Sequence, residues 1–322
     1  MRAVGVREFG GPEVLRVLEL PDPEPAKDEV LIRVHAAAVN PTDTMLRTGA
    51  TVARFNGRQP PYVPGMDAAG VVERLGSGVD DRLRVGQRVI ALVVPYGPRG
   101  GAYAERIVVP AASVVPAPEG ADFPAAATLL MNAMTARVAL NLLALRPGQT
   151  LAVTGAAGAF GGYAVQLAKA DGLRVIADAA PADEGLVRAL GADEVVARGD
   201  DVADRIRKLA PNGVDGLADG AVLHHLALPA IADGGQLAVV RGWSGPADRD
   251  ITVHPVVVAN SAADTAALDR LARQAEDGTL TLRVARVLPA AEAAEAHRQL
   301  AAGGIRGRLV LDLATGLADG PA

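Results

Sequence analysis

A glycine-rich turn between a buried strand and a helix constrains this chain more than any other feature. The sequence VTGAAGAFGG occupies residues 153–162, directly after the apolar run at 151–154. Gly158 leaves room for the backbone to approach a pyrophosphate, and Gly161 allows a helix to pack closely against the strand. The first glycine of the usual GxGxxG pattern is Ala156 here, so a tight strand–helix loop without a ligand is the competing interpretation. The turn predicts a dinucleotide site.

An acidic residue supports that prediction. Asp178 follows the next predicted strand and lies 20 residues after Gly158 (178 − 158), where a carboxylate can bind the adenosine ribose 2′-hydroxyl. The alternative is a helix N-cap or a loop acid. A carboxylate repels a 2′-phosphate and so favours NADH, but Arg174 and Arg188 lie close in sequence and complicate that inference. The choice between NADH and NADPH therefore stays open.

The hydrophobic pattern divides the chain into parts. Short strands separated by Gly and Pro fill residues 1–120, which indicates a small barrel or sandwich. Strands and helices alternate over residues 121–255, which predicts βαβ crossovers and a parallel sheet. Residues 256–314 return to strands around one helix, and residues 315–322 resemble a loose tail. We predict an α/β protein with a doubly wound domain inserted into a discontinuous β-rich one.

Individual elements follow from the same pattern. The predicted strands cover residues 30–36, 69–75, 85–92, 103–109, 151–154, 174–177, 194–196, 214–217, 236–240 and 307–312. The predicted helices are two within residues 123–145 and one each over 162–170, 181–190, 202–209, 221–231 and 289–302.

Composition excludes several classes of function. The 32 basic and 37 acidic residues give a net charge of −5, which offers no electrostatic reason to expect binding to nucleic acid or to an anionic membrane. No apolar run reaches the roughly 18 residues of a transmembrane helix, and the charged N-terminus lacks the features of a signal peptide. The chain has no cysteine, which fits a reducing compartment. We expect a cytoplasmic protein.

Several segments resemble landmarks of the quinone oxidoreductase branch of the medium-chain dehydrogenase/reductase superfamily. In chain order they are AVNPTD at 38–43, PGMDAAG at 64–70, GGAYAE at 100–105, the loop at 156–161, AEAAEAH at 291–297 and GRLVL at 307–311. The resemblance covers residues 1–312. It implies a Rossmann domain inserted into a GroES-like catalytic domain, and an assembly that we expect to be a homodimer.

The resemblance also implies site residues. It places the nicotinamide and substrate near Asn40, Asp43 and Thr135, and the variable loops 50–59 and 95–101 along the substrate pocket. With the glycine turn, the predicted cofactor-binding residues are Asn40, Thr135, Gly155, Ala156, Gly158, Ala159, Phe160, Gly161, Asp178, Asp219, Arg241 and Gly242.

Zinc is not expected. The superfamily's alcohol dehydrogenases bind catalytic zinc through Cys and a Gly-His-Glu segment, whereas this chain has GMD at residues 65–67. The histidines show no ligand spacing; they are His35, His224, His225, His254 and His297. Without a Lewis acid, a conjugated acceptor is easier to reduce than a simple ketone, because charge delocalises onto a distant oxygen. We therefore expect a small quinone or α,β-unsaturated carbonyl as the substrate.

The candidate catalytic residues are Asn40, Asp43 and Thr51. The Asn40 amide can donate a hydrogen bond to the developing oxyanion, although an Asn-Pro turn is the alternative. Asp43 is expected to orient its neighbours rather than to transfer a proton. Related enoyl reductases often have a tyrosine where this chain has Thr51. The proton donor is therefore left open between solvent, Thr51 and a more distant residue, and Tyr103 is expected to pack in the barrel.

Two alternatives to a quinone or enone reductase remain. One is a pathway-specific ene or enoyl reductase that acts on an elaborate substrate. The other is a dinucleotide-binding protein with little turnover, which the absence of a clear proton donor keeps open.

Overall fold

The computed structural model describes residues 1–243, 245–246 and 248–317. Its strands are β1 (Arg2–Gly5), β2 (Arg16–Glu19), β3 (Glu29–Ala38), β4 (Asp67–Leu75), β5 (Arg88–Leu92), β6 (Arg106–Pro110), β7 (Val114–Pro116), β8 (Thr150–Thr154), β9 (Arg174–Ala179), β10 (Glu194–Ala197), β11 (Val214–Asp219), β12 (Ile231–Val239), β13 (Thr252–Pro255), β14 (Val284–Pro289) and β15 (Arg308–Asp312). Its α-helices are α1 (Pro41–Arg47), α2 (Phe123–Ala126), α3 (Leu130–Leu143), α4 (Ala159–Ala170), α5 (Glu184–Ala189), α6 (Val202–Leu209), α7 (Thr265–Glu276) and α8 (Ala293–Ala302).

The chain forms two compact units. The β-rich unit consists of Met1–Met131, Ala262–Glu276 and the residues from Leu282 onward, and the parallel-sheet unit consists of Asn132–Ser261 and Asp277–Thr281. The boundaries fall later than those predicted after residues 120 and 255. The first falls later because α2 packs against β3, β4, β14 and β15, all of which belong to the β-rich unit.

The β-rich unit is built on a seven-stranded sheet. Its strand order is β14-β15-β3-β4-β5-β7, and β6 also pairs with β3, while β1 and β2 form a separate ribbon. The long strand β3 pairs antiparallel with β4 and with β15. Val30, Ile32 and Val34 of β3 enter the core cluster together with Leu311 of β15. The two ends of the chain therefore complete one sheet and one core.

The parallel-sheet unit has the strand order β10-β9-β8-β11-β12-β13, with every pairing parallel. In chain order this is the 3-2-1-4-5-6 arrangement of a doubly wound dinucleotide-binding sheet. The winding reverses between β8 and β11, and ligands bind beyond the carboxyl ends of the strands at such a reversal. The predicted α/β class, with a parallel sheet between two portions of a β-rich unit, is confirmed.

One predicted helix is wrong. Residues 221–231 do not form an α-helix; a 3₁₀ helix covers His224–Ala230, and β12 begins at Ile231. Val222 and His224 have φ values of 62° and 56°, in the left-handed region that an α-helix does not use. Pro229 also lacks the N–H group that an interior helical position donates. The sequence pattern predicts one helix after residue 256, but the structure has two: α7 in addition to the predicted α8.

The predicted tail is ordered at its start. Leu317 is 2% exposed within the β-rich core, and the guanidinium of Arg2 donates a hydrogen bond to its carbonyl oxygen. The remainder of the predicted tail, residues 318–322, lies outside the described residues. The segment Phe123–Leu143 is long and apolar enough to cross a membrane, but 78% of its most apolar window is buried inside the protein, as in a core helix.

Candidate active site

A buried hydrogen-bond network begins where β3 passes into α1. Pro41 occupies the first turn of α1, where a missing N–H group costs nothing, and Asn40 is the N-cap. Asp43, three residues later, accepts a hydrogen bond from the Asn40 backbone N–H to Oδ2 at 2.8 Å. Asn40 and Asp43 are both fully buried. The Asn-Pro-Thr-Asp sequence therefore fixes the orientation of a buried carboxylate at the start of the helix.

Asp67, the first residue of β4, joins this network. Asn40 Nδ2 donates to Asp67 Oδ2 at 2.8 Å, and the Met131 N–H donates to Asp67 Oδ1 at 2.7 Å. Asp67 is 1% exposed. The Asn40 amide is thus committed to a neighbouring carboxylate, and its role as a donor toward a substrate stays a prediction.

Two further elements reach Asp43. Tyr103 donates from its hydroxyl to Asp43 Oδ2 at 3.1 Å, and its oxygen lies 3.4 Å from His297 Nε2 on α8. The Gly65 N–H donates to Asp43 Oδ1 at 2.9 Å. Gly65 has φ of 110°, and a Cβ there would lie 2.7 Å from the Ala102 nitrogen, so only glycine fits. We call Asn40, Asp43, Asp67, Tyr103 and His297 the buried network.

Burial shifts the protonation of the network toward neutral forms. Loss of solvent raises the pKa of Asp43 to about 6 and the pKa of Asp67 to about 7, although hydrogen bonds and Arg308 oppose the shift. Burial, aided by Arg47, lowers the pKa of His297 to about 3. The network therefore holds a neutral imidazole and two carboxyl groups that titrate near neutral pH.

The residues of the network do not fit a catalytic zinc site. The segment that carries zinc ligands in alcohol dehydrogenases holds Met66 here, and a thioether is not among the usual zinc ligands. Asn40 directs its amide nitrogen at Asp67. Among the described residues there is no group of three His, Cys, Asp or Glu side chains that could hold a metal ion.

The glycine turn of the parallel-sheet unit approaches other backbone too closely for side chains. Gly155 has φ of 66°, and a Cβ there would lie 2.9 Å from the Gly220 carbonyl carbon. A Cβ on Gly161 would lie 2.3 Å from the Gly155 oxygen. Gly158 is the N-cap of α4, which starts at Ala159, three residues before the predicted start. The N-terminal end of a helix suits a diphosphate, because its first N–H groups have no partner within the helix and its dipole favours negative charge.

Asp178 lies at the carboxyl end of β9, beside the glycine turn. Its Oδ1 accepts a hydrogen bond from the Ala156 N–H at 3.2 Å, and the residue is 5% exposed. Burial raises the pKa of its carboxyl group, while the backbone N–H groups of the turn oppose the shift. The two arginines that complicated its interpretation are paired with acids: Arg174 with Glu194 and Arg188 with Glu184, both at 2.8 Å.

Asp219 organises the loop at the reversal point of the sheet. Its carboxylate accepts from Thr154 Oγ1 at 2.7 Å and from the backbone N–H groups of Leu223 and His224 at 3.0 and 2.8 Å. It is completely buried at the end of β11. Asp219 therefore shapes the loop that faces the glycine turn rather than presenting a free carboxylate. Phe160 packs against the same loop at Gly220.

The remaining predicted residues lie in three separate segments. Thr51 is 6% exposed and precedes a 3₁₀ helix at Val52–Phe55; within the described residues its hydroxyl has no hydrogen-bond partner. Thr135 is buried in α3. Arg241 and Gly242 are exposed after β12, with φ values of 66° and 70°.

Sequence reasoning missed Asp67 and His297 as network members. From the sequence, Asp67 is named only as part of the GMD segment, and His297 only among the histidines without ligand spacing. A buried histidine between Ala293, Ala296 and Leu300 on the apolar face of α8 was the available signal.

Comparison with known proteins agrees with this geometry. Residues 26–119 match the alcohol dehydrogenase GroES-like domain, and residues 190–311 match the zinc-binding dehydrogenase domain. Quinone oxidoreductase from Homo sapiens is 32% identical over 331 residues, 97% of each chain, and that from Mus musculus is 36% identical over 258 residues, 76% of this chain and 74% of the mouse protein.

Solved structures give the same result. A mycobacterial protein in complex with NADPH has a TM-score of 0.85 at 30% identity, covering 97% of this chain and 100% of that one. Quinone oxidoreductase from Coxiella burnetii has a TM-score of 0.82 at 27% identity, covering 97% and 99%. These likenesses, together with the doubly wound sheet and its glycine turn, support binding of a nicotinamide dinucleotide. The chain is an oxidoreductase that belongs to the quinone oxidoreductase branch of the medium-chain dehydrogenase/reductase superfamily.

Proposed function

We propose that this protein is a zinc-independent reductase that transfers hydride from a reduced nicotinamide dinucleotide to a quinone or an α,β-unsaturated carbonyl. The hydrogen bond from Asn40 Nδ2 to Asp67 Oδ2 carries the proposal. It joins, through an amide and a carboxylate, the Asn40 turn to the segment that carries zinc ligands in the alcohol dehydrogenases. An acceptor whose charge delocalises does not need the Lewis acid that these segments lack.

The chain's own residues supply binding and orientation. The bound dinucleotide supplies the hydride, and reduction of a quinone also consumes one proton. The glycine turn and the start of α4 suit the diphosphate, and Asp219 holds the facing loop in place. In the β-rich unit, Asp43 and Asp67 titrate near neutral pH and so can hold a proton inside the network.

The position of Asp178 favours NADH over NADPH. The Asp178 carboxylate lies beside the glycine turn, where it can accept a hydrogen bond from a ribose hydroxyl and repels a phosphate. Arg174 and Arg188 form ion pairs with Glu194 and Glu184, which a 2′-phosphate would have to displace. The mycobacterial relative, in contrast, was solved in complex with NADPH. The cofactor preference of this chain therefore has to be measured.

We expect Asp178→Ser to change cofactor preference. Removing the carboxylate should shift the ratio of kcat/KM for NADH over that for NADPH by about 10-fold toward NADPH, the size of one lost charge-assisted contact. Asp200→Ser, at an exposed acid beyond β10, is the matched control and should leave the ratio unchanged. An unchanged ratio in Asp178→Ser contradicts the proposed role.

The reductase itself is tested by oxidation of NADH and NADPH with 9,10-phenanthrenequinone and with a simple enone. We expect turnover with at least one acceptor, no loss of rate after prolonged treatment with a chelator, and no stoichiometric zinc by elemental analysis. Tight dinucleotide binding without turnover would favour the specialised ene reductase or the low-turnover binding protein. Absence of dinucleotide binding contradicts the proposal as a whole.

The assembly and location stay predictions. A homodimer agrees with the open edge of the parallel sheet: among the described residues β13 pairs only with β12, and Val257 just beyond it is 37% exposed. Light scattering of the purified protein tests it, and a monomer at micromolar concentration contradicts it. A cytoplasmic location, with no nucleic-acid or membrane partner, is proposed from the charge balance and the absence of cysteine alone.

A further inference from the structure

The two loops predicted to line the substrate pocket meet in the β-rich unit. Phe55 of the first loop packs edge-on against Tyr96 of the second, with ring centroids 5.5 Å apart. Phe55 also stacks on Tyr62 at 4.1 Å, and Tyr62 stacks on Phe9 at 5.3 Å. We call Phe9, Phe55, Tyr62 and Tyr96 the aromatic cluster. It gathers four of the nine Phe, Tyr and Trp residues (4 + 4 + 1) of a chain that is only 3% aromatic.

Two guanidinium groups lie over these rings. Arg54 is 5.3 Å from the centroid of Tyr96, and Arg58 is 5.9 Å from that of Phe55 and 5.7 Å from that of Tyr62. Arg58 also donates to the Pro61 carbonyl at 3.1 Å and to the Gly97 carbonyl, so it ties the two loops together. The cluster therefore combines flat apolar surface with positive charge, which suits a planar acceptor that gains negative charge on reduction.

The two tyrosine hydroxyls of the cluster differ. The Tyr62 hydroxyl donates to the Arg58 carbonyl at 2.6 Å. The Tyr96 hydroxyl is buried and has no partner within the described part of the chain, although Tyr96 is only 9% exposed. A buried hydroxyl without a partner costs about 1–3 kcal/mol of folding free energy. Such a group is unusual in a folded protein and is expected where a ligand supplies the missing partner.

We propose that Tyr96 is a substrate-binding residue whose hydroxyl donates a hydrogen bond to the carbonyl oxygen of the acceptor. The inference rests on the proposed reductase function. Tyr96 stands in the second loop, whereas related enoyl reductases have their tyrosine at the position of Thr51. The class of acceptor is a planar aromatic quinone, because the Tyr96 ring packs against Phe55 and lies under the Arg54 guanidinium. Tyr96 keeps its proton; the proton consumed by the reaction comes from elsewhere.

Tyr96→Phe tests the proposal, with Tyr62→Phe as the matched control in the full-length protein. We expect Tyr96→Phe to lower kcat/KM for 9,10-phenanthrenequinone by about 10- to 100-fold, the range for one lost hydrogen bond to a substrate oxygen. It should leave the affinity for NADH unchanged. Tyr62→Phe should lower kcat/KM less than Tyr96→Phe does, because the Tyr62 hydroxyl is already engaged by the Arg58 carbonyl and is not available to the acceptor.

Thermal stability separates binding from a structural role. Removing an unpartnered hydroxyl should leave the melting temperature of Tyr96→Phe equal to or above that of the wild type, whereas Tyr62→Phe should melt lower. If Tyr96→Phe melts at a lower temperature and loses activity only in proportion to its loss of folded protein, the hydroxyl is structural. That result overturns the proposal.

A binding measurement keeps this inference independent of turnover. Calorimetric titration of 9,10-phenanthrenequinone in the presence of NAD⁺, where no reduction occurs, should give at least about 10-fold weaker affinity for Tyr96→Phe. Equal affinity in the two proteins overturns the role of Tyr96, even if the wild type is an active reductase. Absence of turnover in the wild type contradicts the proposed function, and a loss of quinone affinity in Tyr96→Phe would then still support the binding role.

Discussion

The glycine turn of the parallel-sheet unit and the buried network of the β-rich unit are built in opposite ways. The turn is a run of adjacent residues, 155–161, and its backbone N–H groups provide the chemistry. The network joins side chains that are far apart in sequence: Asn40 and Asp67 are 27 positions apart, and Tyr103 and His297 are 194 apart.

That difference determines how each region responds to substitution. Backbone chemistry tolerates many side chains but not added volume at a glycine, because neighbouring backbone cannot move aside. A buried side-chain network tolerates a change of volume poorly. It tolerates the loss or exchange of a donor or acceptor least, because each side chain supplies a hydrogen-bond partner to its neighbours. The contrast predicts three effects of decreasing size.

Added volume should disrupt the glycine turn most. In Gly161→Val the new Cβ would lie 2.3 Å from the Gly155 oxygen, and the β-branch adds further overlap. We expect NADH affinity to fall by at least about 100-fold, since overpacking costs about 1–3 kcal/mol or more. Calorimetric titration measures it. Gly185→Ala, where a Cβ meets nothing within 4 Å, is the control and should bind NADH normally.

Removing hydrogen bonds from the buried network should have a smaller effect, and the effects of two such substitutions on unfolding free energy should not add. Asn40→Ala leaves one Asp67 oxygen without its donor. Asp67→Asn sets a new NH2 group against the NH2 group of Asn40, and two donors cannot bond to each other. We expect each variant to lose about 2 kcal/mol of unfolding free energy. The double variant should lose clearly less than the sum, because both changes remove one interaction. Urea denaturation measures all three, and additive losses would show that the network is not a single cooperative unit.

Acid sensitivity should give the smallest effect near neutral pH. Burial lowers the pKa of His297 to about 3, so the folded protein keeps it neutral, whereas the unfolded chain takes up a proton below pH 6.5. The unfolded state then binds more protons, and stability falls as pH falls from about 6.5 toward 3. The maximum slope is about 1.4 kcal/mol per pH unit.

His297→Gln removes that dependence. Between pH 6.5 and pH 5 the wild type should therefore lose about 1.6 kcal/mol of unfolding free energy relative to His297→Gln. Asp43 and Asp67 act in the opposite direction, because their raised pKa values favour the folded state as pH falls; comparison of the two proteins isolates His297. A constant difference across this range would mean that His297 is solvated in the folded protein.

The same contrast explains why the glycine turn could be predicted from the sequence and the buried network could not. The glycine turn and Asp178 follow regular spacing along one stretch of chain, so their neighbourhood could be predicted before the fold was known. Asp67 and His297 carry no local signal of their own partners, because only the pairing of β3 with β4 and β15 brings their elements together.

Local backbone strain accounts for the wrong helix. Residues 221–231 have an apolar helical pattern, but Asp219 binds the backbone N–H groups of Leu223 and His224 and holds this loop in a left-handed course. A tertiary hydrogen bond to a buried carboxylate outweighs helix propensity, which is only a few tenths of a kcal/mol per residue, or about 0.7 at most for ordinary residues. No pattern in the segment itself reports that bond.

The discontinuity of the β-rich unit also sets an order of events during synthesis. A chain that has left the ribosome as far as residue 255 contains all six strands of the parallel sheet, yet its β-rich unit still lacks β14 and β15. Until β15 arrives, residues 36–38 of β3 remain an open edge, which is a site for wrong pairing with other chains. During synthesis the strands of the parallel sheet are therefore all present while the β-rich sheet still has an unpaired edge.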